Sequence, residues 1–272
     1  MNIFKDAQLP GPFQVSVMSV VFLFKNLKVF GRILAIPVFI ELIFYFIKFI
    51  KPLASHLSIV FFLASLAFNV FFAVRWFRFL MGVERAPNSI VLFRLGFREL
   101  KFLMAGFLVS GLLVVIFLPI FILLGKAVSL QVHESAVLFN IKNTPLFYIA
   151  CFAFFIGYVF SFRFNFTQPT VALDGPIDLI KSWRQTKGIT LRMFLSSLII
   201  FIGTMGVQMG FVWFFSKPGS MILTLLSGQM PPAYMTVSAC LGYLSNALLQ
   251  GVIAIYYRHQ NELKIEQELE AV

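Results

Sequence analysis

Six times between Ile33 and Tyr257 the chain passes through a stretch of roughly twenty residues in which Phe, Leu, Ile and Val dominate and charge nearly vanishes. An α-helix needs about 20 apolar residues to cross about 30 Å of hydrocarbon, and a helix apolar on every face has no polar side to offer water. The stretches are Ile33 to Ile50, Leu57 to Trp76, Phe102 to Leu124, Leu146 to Phe166, Met193 to Phe215 and Thr236 to Tyr257. Only 12% of the 272 residues are charged and 36 are Phe, more apolar surface than one water-soluble core buries, so lipid must cover the rest. The expected fold is all-α, a polytopic helical membrane bundle of about six transmembrane helices in which residues 1–272 form a single integral membrane domain.

The basic residues set an orientation. All of the 22 Lys and Arg except Lys48, Lys51, Lys126, Lys142 and Lys217 fall on one side of the alternating spans. Cytoplasmic loops carry the Lys/Arg excess, so both termini are expected in the cytoplasm. This topology accounts for the net charge of +11, and no nucleic-acid partner is expected. The first apolar stretch, Pro12 to Phe24, is preceded only by Lys5 and followed by Lys25 and Lys28, the reverse of a cleavable signal, so the N-terminus is expected to be retained. Residues 259–272 read as an acidic cytoplasmic tail, and Ser220 to Met235, broken by Gly228, Pro231 and Pro232, as an outer loop or interfacial segment.

The connections on the basic side are patterned. In Asp174 to Gly188, Pro176 suits a first helical position and Gly188 a left-handed C-terminal cap. Ile177, Ile180 and Trp183 share one side, with Lys181, Arg184 and Gln185 opposite, as in a short helix lying flat among headgroups with Trp183 as its anchor. Leu9-Pro10-Gly11-Pro12-Phe13 parallels Leu173-Asp174-Gly175-Pro176-Ile177, and Arg94, Arg98 and Lys101 stand at i, i+4, i+7 before the third span. The pattern points to three parallel units, 12–80, 87–166 and 176–258, each an interfacial segment followed by an out-and-back pair of spans. Candidate lipid-headgroup contacts are Lys25, Lys28, Arg94, Arg98, Lys101, Lys181, Trp183 and Arg184.

Within the spans the sharpest oddity is Glu41, because an ionised carboxylate at mid-membrane costs about 2.5–3.5 kcal/mol. It reads either as structural, paired with Lys48 or a neighbouring Arg, or as a proton- or cation-handling group. Pro37 and Pro119 are expected to kink or end their spans, and Gly203, Gly206 and Gly210 to permit close helix packing or a homodimer contact. His56, His133 and His259 share no metal spacing, Cys151 and Cys240 lie in apolar runs, and no nucleophile elbow, phosphate loop or dinucleotide fingerprint occurs. No enzymatic activity, cofactor or metal is therefore expected.

Two segments carry a family likeness. Arg75-Trp76-Phe77-Arg78-Phe79-Leu80-Met81-Gly82-Val83-Glu84-Arg85, and Arg163 through Gln168-Pro169, Asp174 and Ser182-Trp183-Arg184-Gln185-Thr186-Lys187-Gly188, resemble uncharacterised alphaproteobacterial multi-pass inner-membrane proteins. The chain is also similar to the membrane domain fused to some glycerophosphodiester phosphodiesterases, whose catalytic domain has no counterpart here. The resemblance implies a bacterial inner membrane. The expected role is a lipid-contacting scaffold or partner of envelope machinery, with membrane lipids and a protein partner or second copy as partners; the alternative is a transporter or flippase for a lipid or small solute, drawing on Glu41, Asn165, Thr167 and Gln168.

Overall fold

A computed structural model describes residues 10–50, 55–83, 96–131, 152, 155–215 and 232–270. Every regular element among them is helical. In hydrocarbon an unpaired backbone N–H or C=O costs several kcal/mol, so Phe- and Leu-rich segments satisfy their backbone internally as helices. In chain order these are α1 (Pro12–Lys25), α2 (Leu27–Ile50), α3 (Ser55–Leu80), α4 (Phe97–Gln131), α5 (Thr167–Ala172), α6 (Leu179–Gln185), α7 (Thr190–Phe215) and α8 (Pro232–Glu270). Residues 155–161 are also helical and tighten into a 3-10 turn at Phe162–Phe164. The fourth expected span thus leaves its helix before Phe166, and its residues 146–151 and 153–154 lie outside the described residues, as do Pro87, Arg94, His133 and residues 216–231; of the expected outer segment Ser220 to Met235, only Pro232 to Met235 is described, and it opens α8.

The long helix α8 is the hub, packing against α1, α2, α3, α5 and α7, while α4 closes one flank against α3 and α5. At the centre lie Phe72, Trp76, Phe77, Phe166, Tyr243 and Tyr256. Trp76 is 1% exposed, stacks on Phe72, meets Phe22 and Phe30 edge-on, and donates its indole N–H to the Ala247 carbonyl at 3.0 Å. Side-chain hydroxyls supply further interhelical bonds, with Ser196 against Tyr256 at 3.1 Å and Thr204 against Ser245 at 3.2 Å, both joining α7 to α8. The outer surface is apolar: Phe13, Phe24, Phe39, Val115, Ile202 and Trp213 are all exposed.

Helix α1 inverts the pattern of a soluble amphipathic helix. Pro12 opens it at the first helical position after Gly11, and its buried face holds Val15, Ser16, Ser19 and Leu23 while Phe13, Val17, Val21 and Phe24 point outward. Ser16 donates to the Ser196 carbonyl of α7 at 3.0 Å and Ser19 to the Leu248 carbonyl of α8 at 2.7 Å. A Cβ on Gly251 would lie 2.2 Å from the Ser19 hydroxyl, so only glycine lets α8 approach this closely. Asn26 closes α1 through its side chain on the Phe22 carbonyl, and α2 begins at once.

The second Gly-Pro pair folds differently from the first. After Gly175-Pro176 the helix starts only at Leu179, where Asp178 caps it by accepting from the Lys181 N–H at 2.7 Å. Pro176 is therefore not its first residue: a short acid three positions ahead of Lys181 satisfies a helix-end donor, which proline cannot do. Gly188 is left-handed, φ +88°, as its position in the sequence implied. The three residues expected to share one face of α6 part company: Ile177 precedes the helix and is partly buried, Ile180 is exposed, and Trp183 packs on protein. The face turned inward instead carries Ser182 and Thr186, one turn apart, both donating to the Arg163 carbonyl.

Pro37 and Pro119 both lie inside continuous helices. Gly203, Gly206 and Gly210 have open space where a side chain would stand, so among the described residues they pack against no other helix. His259, read as a tail residue, is buried because α8 runs unbroken to Glu270.

Candidate functional site

Where α3 ends and α4 begins, the basic residues are organised around one carboxylate. α3 ends in a Schellman turn, with the Gly82 N–H on the Phe79 carbonyl and the Val83 N–H on that of Arg78; Gly82 sits at φ +73°, a conformation glycine adopts without a Cβ clash. α5 ends the same way, with the Asp174 N–H on Val171 and the Gly175 N–H on Thr170, but there the left-handed residue is Asp174, φ +69°. That conformation is costly for a residue with a Cβ, and two arginines hold it. Arg78 bridges the Asp174 carboxylate (3.0 Å) and the Ala172 carbonyl (3.1 Å), and Arg98 binds both carboxylate oxygens, with its Nη2 3.0 Å from Oδ2. The Arg98 hydrogen bond above all, with that of Arg78, outweighs partial desolvation and holds the Asp174 carboxyl below its ordinary value of 3.8.

Beside this knot is a cavity of about 410 Å³ lined by Arg75, Gly96, Phe97, Arg98, Glu99, Lys101, Val171 and Asp174. Glu99 is buried and accepts from the Gly96 N–H at 2.9 Å, closing the first turn of α4. Lys101 lies over the Phe97 ring, 4.9 Å from its centroid. Next to the cavity, Phe97, Leu100 and Met104 face outward, so cations meet an apolar surface along one helix.

Of the residues singled out in the sequence, Arg98 and Lys101 thus share a cavity, which Arg75 joins. Lys25 and Lys28 are exposed where α1 meets α2, and Lys181 and Arg184 are exposed on α6. Trp183 stacks on Phe160 with centroids 5.8 Å apart, leans on Phe164, and carries the Arg163 guanidinium over its face at 4.5 Å. Glu41 is 8% exposed and accepts at one oxygen from Ser65 of α3 and Tyr243 of α8, each at 2.9 Å. The observed partners are hydroxyls of other helices; the Lys48 side chain lies outside the described residues.

A second, larger chamber of about 760 Å³ lies between residues 155–168, α7 and α8. Phe194 lines it, meeting Phe155, Tyr158 and Phe162 edge-on at 5.3–6.0 Å. Phe155, Tyr158 and Phe201 are exposed at its rim, so it opens sideways onto the apolar outer surface. Among the described residues, Ser161, Asn165, Gln168, Ser197, Asn246 and Gln250 give it an uncharged polar lining. Asn165 and Gln168 were legible beside the fourth span. Asn246 and Gln250 escaped notice, although two amides one turn apart inside an apolar span are a signal in themselves.

Taken together, fold and surface define the class: an all-helical protein with α3, α7 and α8 long and apolar enough to cross a membrane, over Leu63–Leu80, Thr190–Phe211 and Val237–Glu262. No family model, curated protein or solved structure matches the chain.

Proposed function

We propose that this chain is a non-enzymatic multi-pass protein of a bacterial inner membrane, a lipid-contacting scaffold or partner of envelope machinery that engages anionic headgroups on the cytoplasmic face. In this reading α2, α4 and the helix ending at residue 161 also span, giving about six crossings in three parallel units with both termini inside. The short likeness to alphaproteobacterial inner-membrane proteins supports the location.

The observation that carries the proposal is the 410 Å³ cavity, where Arg75, Arg98 and Lys101 outnumber Glu99 and Asp174 beside the outward-facing Phe97, Leu100 and Met104. A phosphate placed there gains about 1 kcal/mol per surface cation while its acyl chains lie along α4. The test is lipid retention by the full-length protein reconstituted in mixed phosphatidylglycerol and phosphatidylethanolamine. Neutralising Lys101 to Gln, which leaves the Arg98–Asp174 contact intact, is expected to lower the preference for phosphatidylglycerol about fivefold. An unchanged preference would reject the reading. The transporter alternative draws on the larger chamber, whose walls do not include Glu41.

A further inference from the structure

The chamber between residues 155–168, α7 and α8 holds two buried polar atoms that the described residues leave without a partner, the Ser197 hydroxyl and the Gln250 side-chain oxygen. Both residues are 4% exposed and line the cavity. Leaving such a group unpaired costs about 1–3 kcal/mol, and here two sit in one chamber at the depth of the spans. Gln250 falls at the middle of the apolar window Val237–Glu262, and its amide nitrogen is already committed to Asn246 at 3.0 Å. The remaining oxygen needs a donor.

We infer that this chamber binds one lipid whose headgroup is uncharged and carries a free hydroxyl, of the diacylglycerol type. The hydroxyl donates to the Gln250 oxygen, and Ser197 donates to an ester oxygen or accepts in turn. Among the described residues no Lys, Arg, Asp or Glu lines the chamber, so a phosphate there would be desolvated without a counter-charge, which disfavours an ionised phospholipid headgroup at the polar end. The exposed Phe155, Tyr158 and Phe201 at the rim make the entry lateral, from the bilayer, and suit acyl chains that leave through it. A volume of about 760 Å³ lies within the range of small-molecule sites, roughly 300–1,000 Å³. The chamber shares no described residue with the cationic cavity, so this inference rests on the membrane setting and not on the headgroup proposal.

The experiment uses the full-length protein in detergent with a diacylglycerol carrying a photoreactive acyl chain. Labelling is expected on residues 155–168, α7 or α8, with unlabelled diacylglycerol competing at about tenfold lower concentration than phosphatidylglycerol. Gln250→Leu is expected to weaken labelling about tenfold, equivalent to about 1.4 kcal/mol. Ser197→Ala, which removes one oxygen and cannot crowd the fold, is expected to weaken it several-fold, so the inference stays testable if Gln250→Leu fails to purify. Equal competition by phosphatidylglycerol, labelling confined to other segments, or wild-type labelling of Ser197→Ala would each overturn it. Loss of anionic preference in the Lys101→Gln variant with failed chamber labelling would remove this inference alone; the opposite pairing would remove only the headgroup reading.

Discussion

Replacing Trp76 with alanine is expected to destabilise the folded protein by about 3 kcal/mol, the largest effect of any single truncation in the core. The indole is enclosed by rings from three helices, Phe22 of α1, Phe30 of α2 and Phe72 of α3 itself, and its N–H ties α3 to the backbone of α8. In a membrane part of the transfer term disappears, because lipid wets the separated helices as well as protein does. The cavity and the lost interhelical hydrogen bond remain, while the Ala247 carbonyl keeps its own helical N–H, which puts the cost at the lower end of the range for an emptied aromatic site. Unfolding of the purified protein by graded denaturing detergent measures it. Trp76→Phe, which keeps most of the ring packing and loses the hydrogen bond, is expected to cost about 1 kcal/mol. Equal losses for the two variants would show that the hydrogen bond, and not the packing, carries the effect.

Glu41 gives the second large effect, and it separates the two readings of that residue. As a structural acceptor it joins α2 to α3 and α8 through two hydroxyls on one oxygen. Glu41→Leu removes both hydrogen bonds, one to the partly buried Ser65 hydroxyl and one to the buried Tyr243 hydroxyl, an expected loss of about 2–3 kcal/mol; Glu41→Gln keeps a carbonyl acceptor in the same place and is expected to stay within about 1 kcal/mol of wild type. The same detergent titration reads both. A Glu41→Leu protein as stable as the wild type would show that these contacts contribute nothing, and would return the residue to a proton- or cation-handling role.

Legibility in the sequence followed the range of the interaction. The long helices were readable because their unbroken apolar runs are a local signal: α2, α3, α4, α7 and α8 cover five of the expected stretches, and α1 begins at the expected proline. What depended on distant neighbours was not readable. Ser16 and Ser19 gave no local sign that their hydroxyls would dock α1 on α7 and α8, since either serine equally suits a solvated or lipid-facing position. Asp178 outcompeted Pro176 for the start of α6 because a side-chain acceptor satisfies an N–H that the proline ring leaves open. Trp183 found aromatic partners across the turn before it found a headgroup. The chamber was half visible: a search of the spans for acids alone passes over Ser197, Asn246 and Gln250, the uncharged polar groups that define it.

The account has one physical premise, that lipid is the solvent for the outward faces of α3, α7 and α8. Bacterial membranes containing the full-length polypeptide, washed at alkaline pH to strip peripheral proteins and sedimented at high speed, test it most directly. The account predicts that the protein stays in the pellet and is released only by detergent. Its appearance in the alkaline supernatant would contradict a membrane-spanning fold and every proposal built upon it.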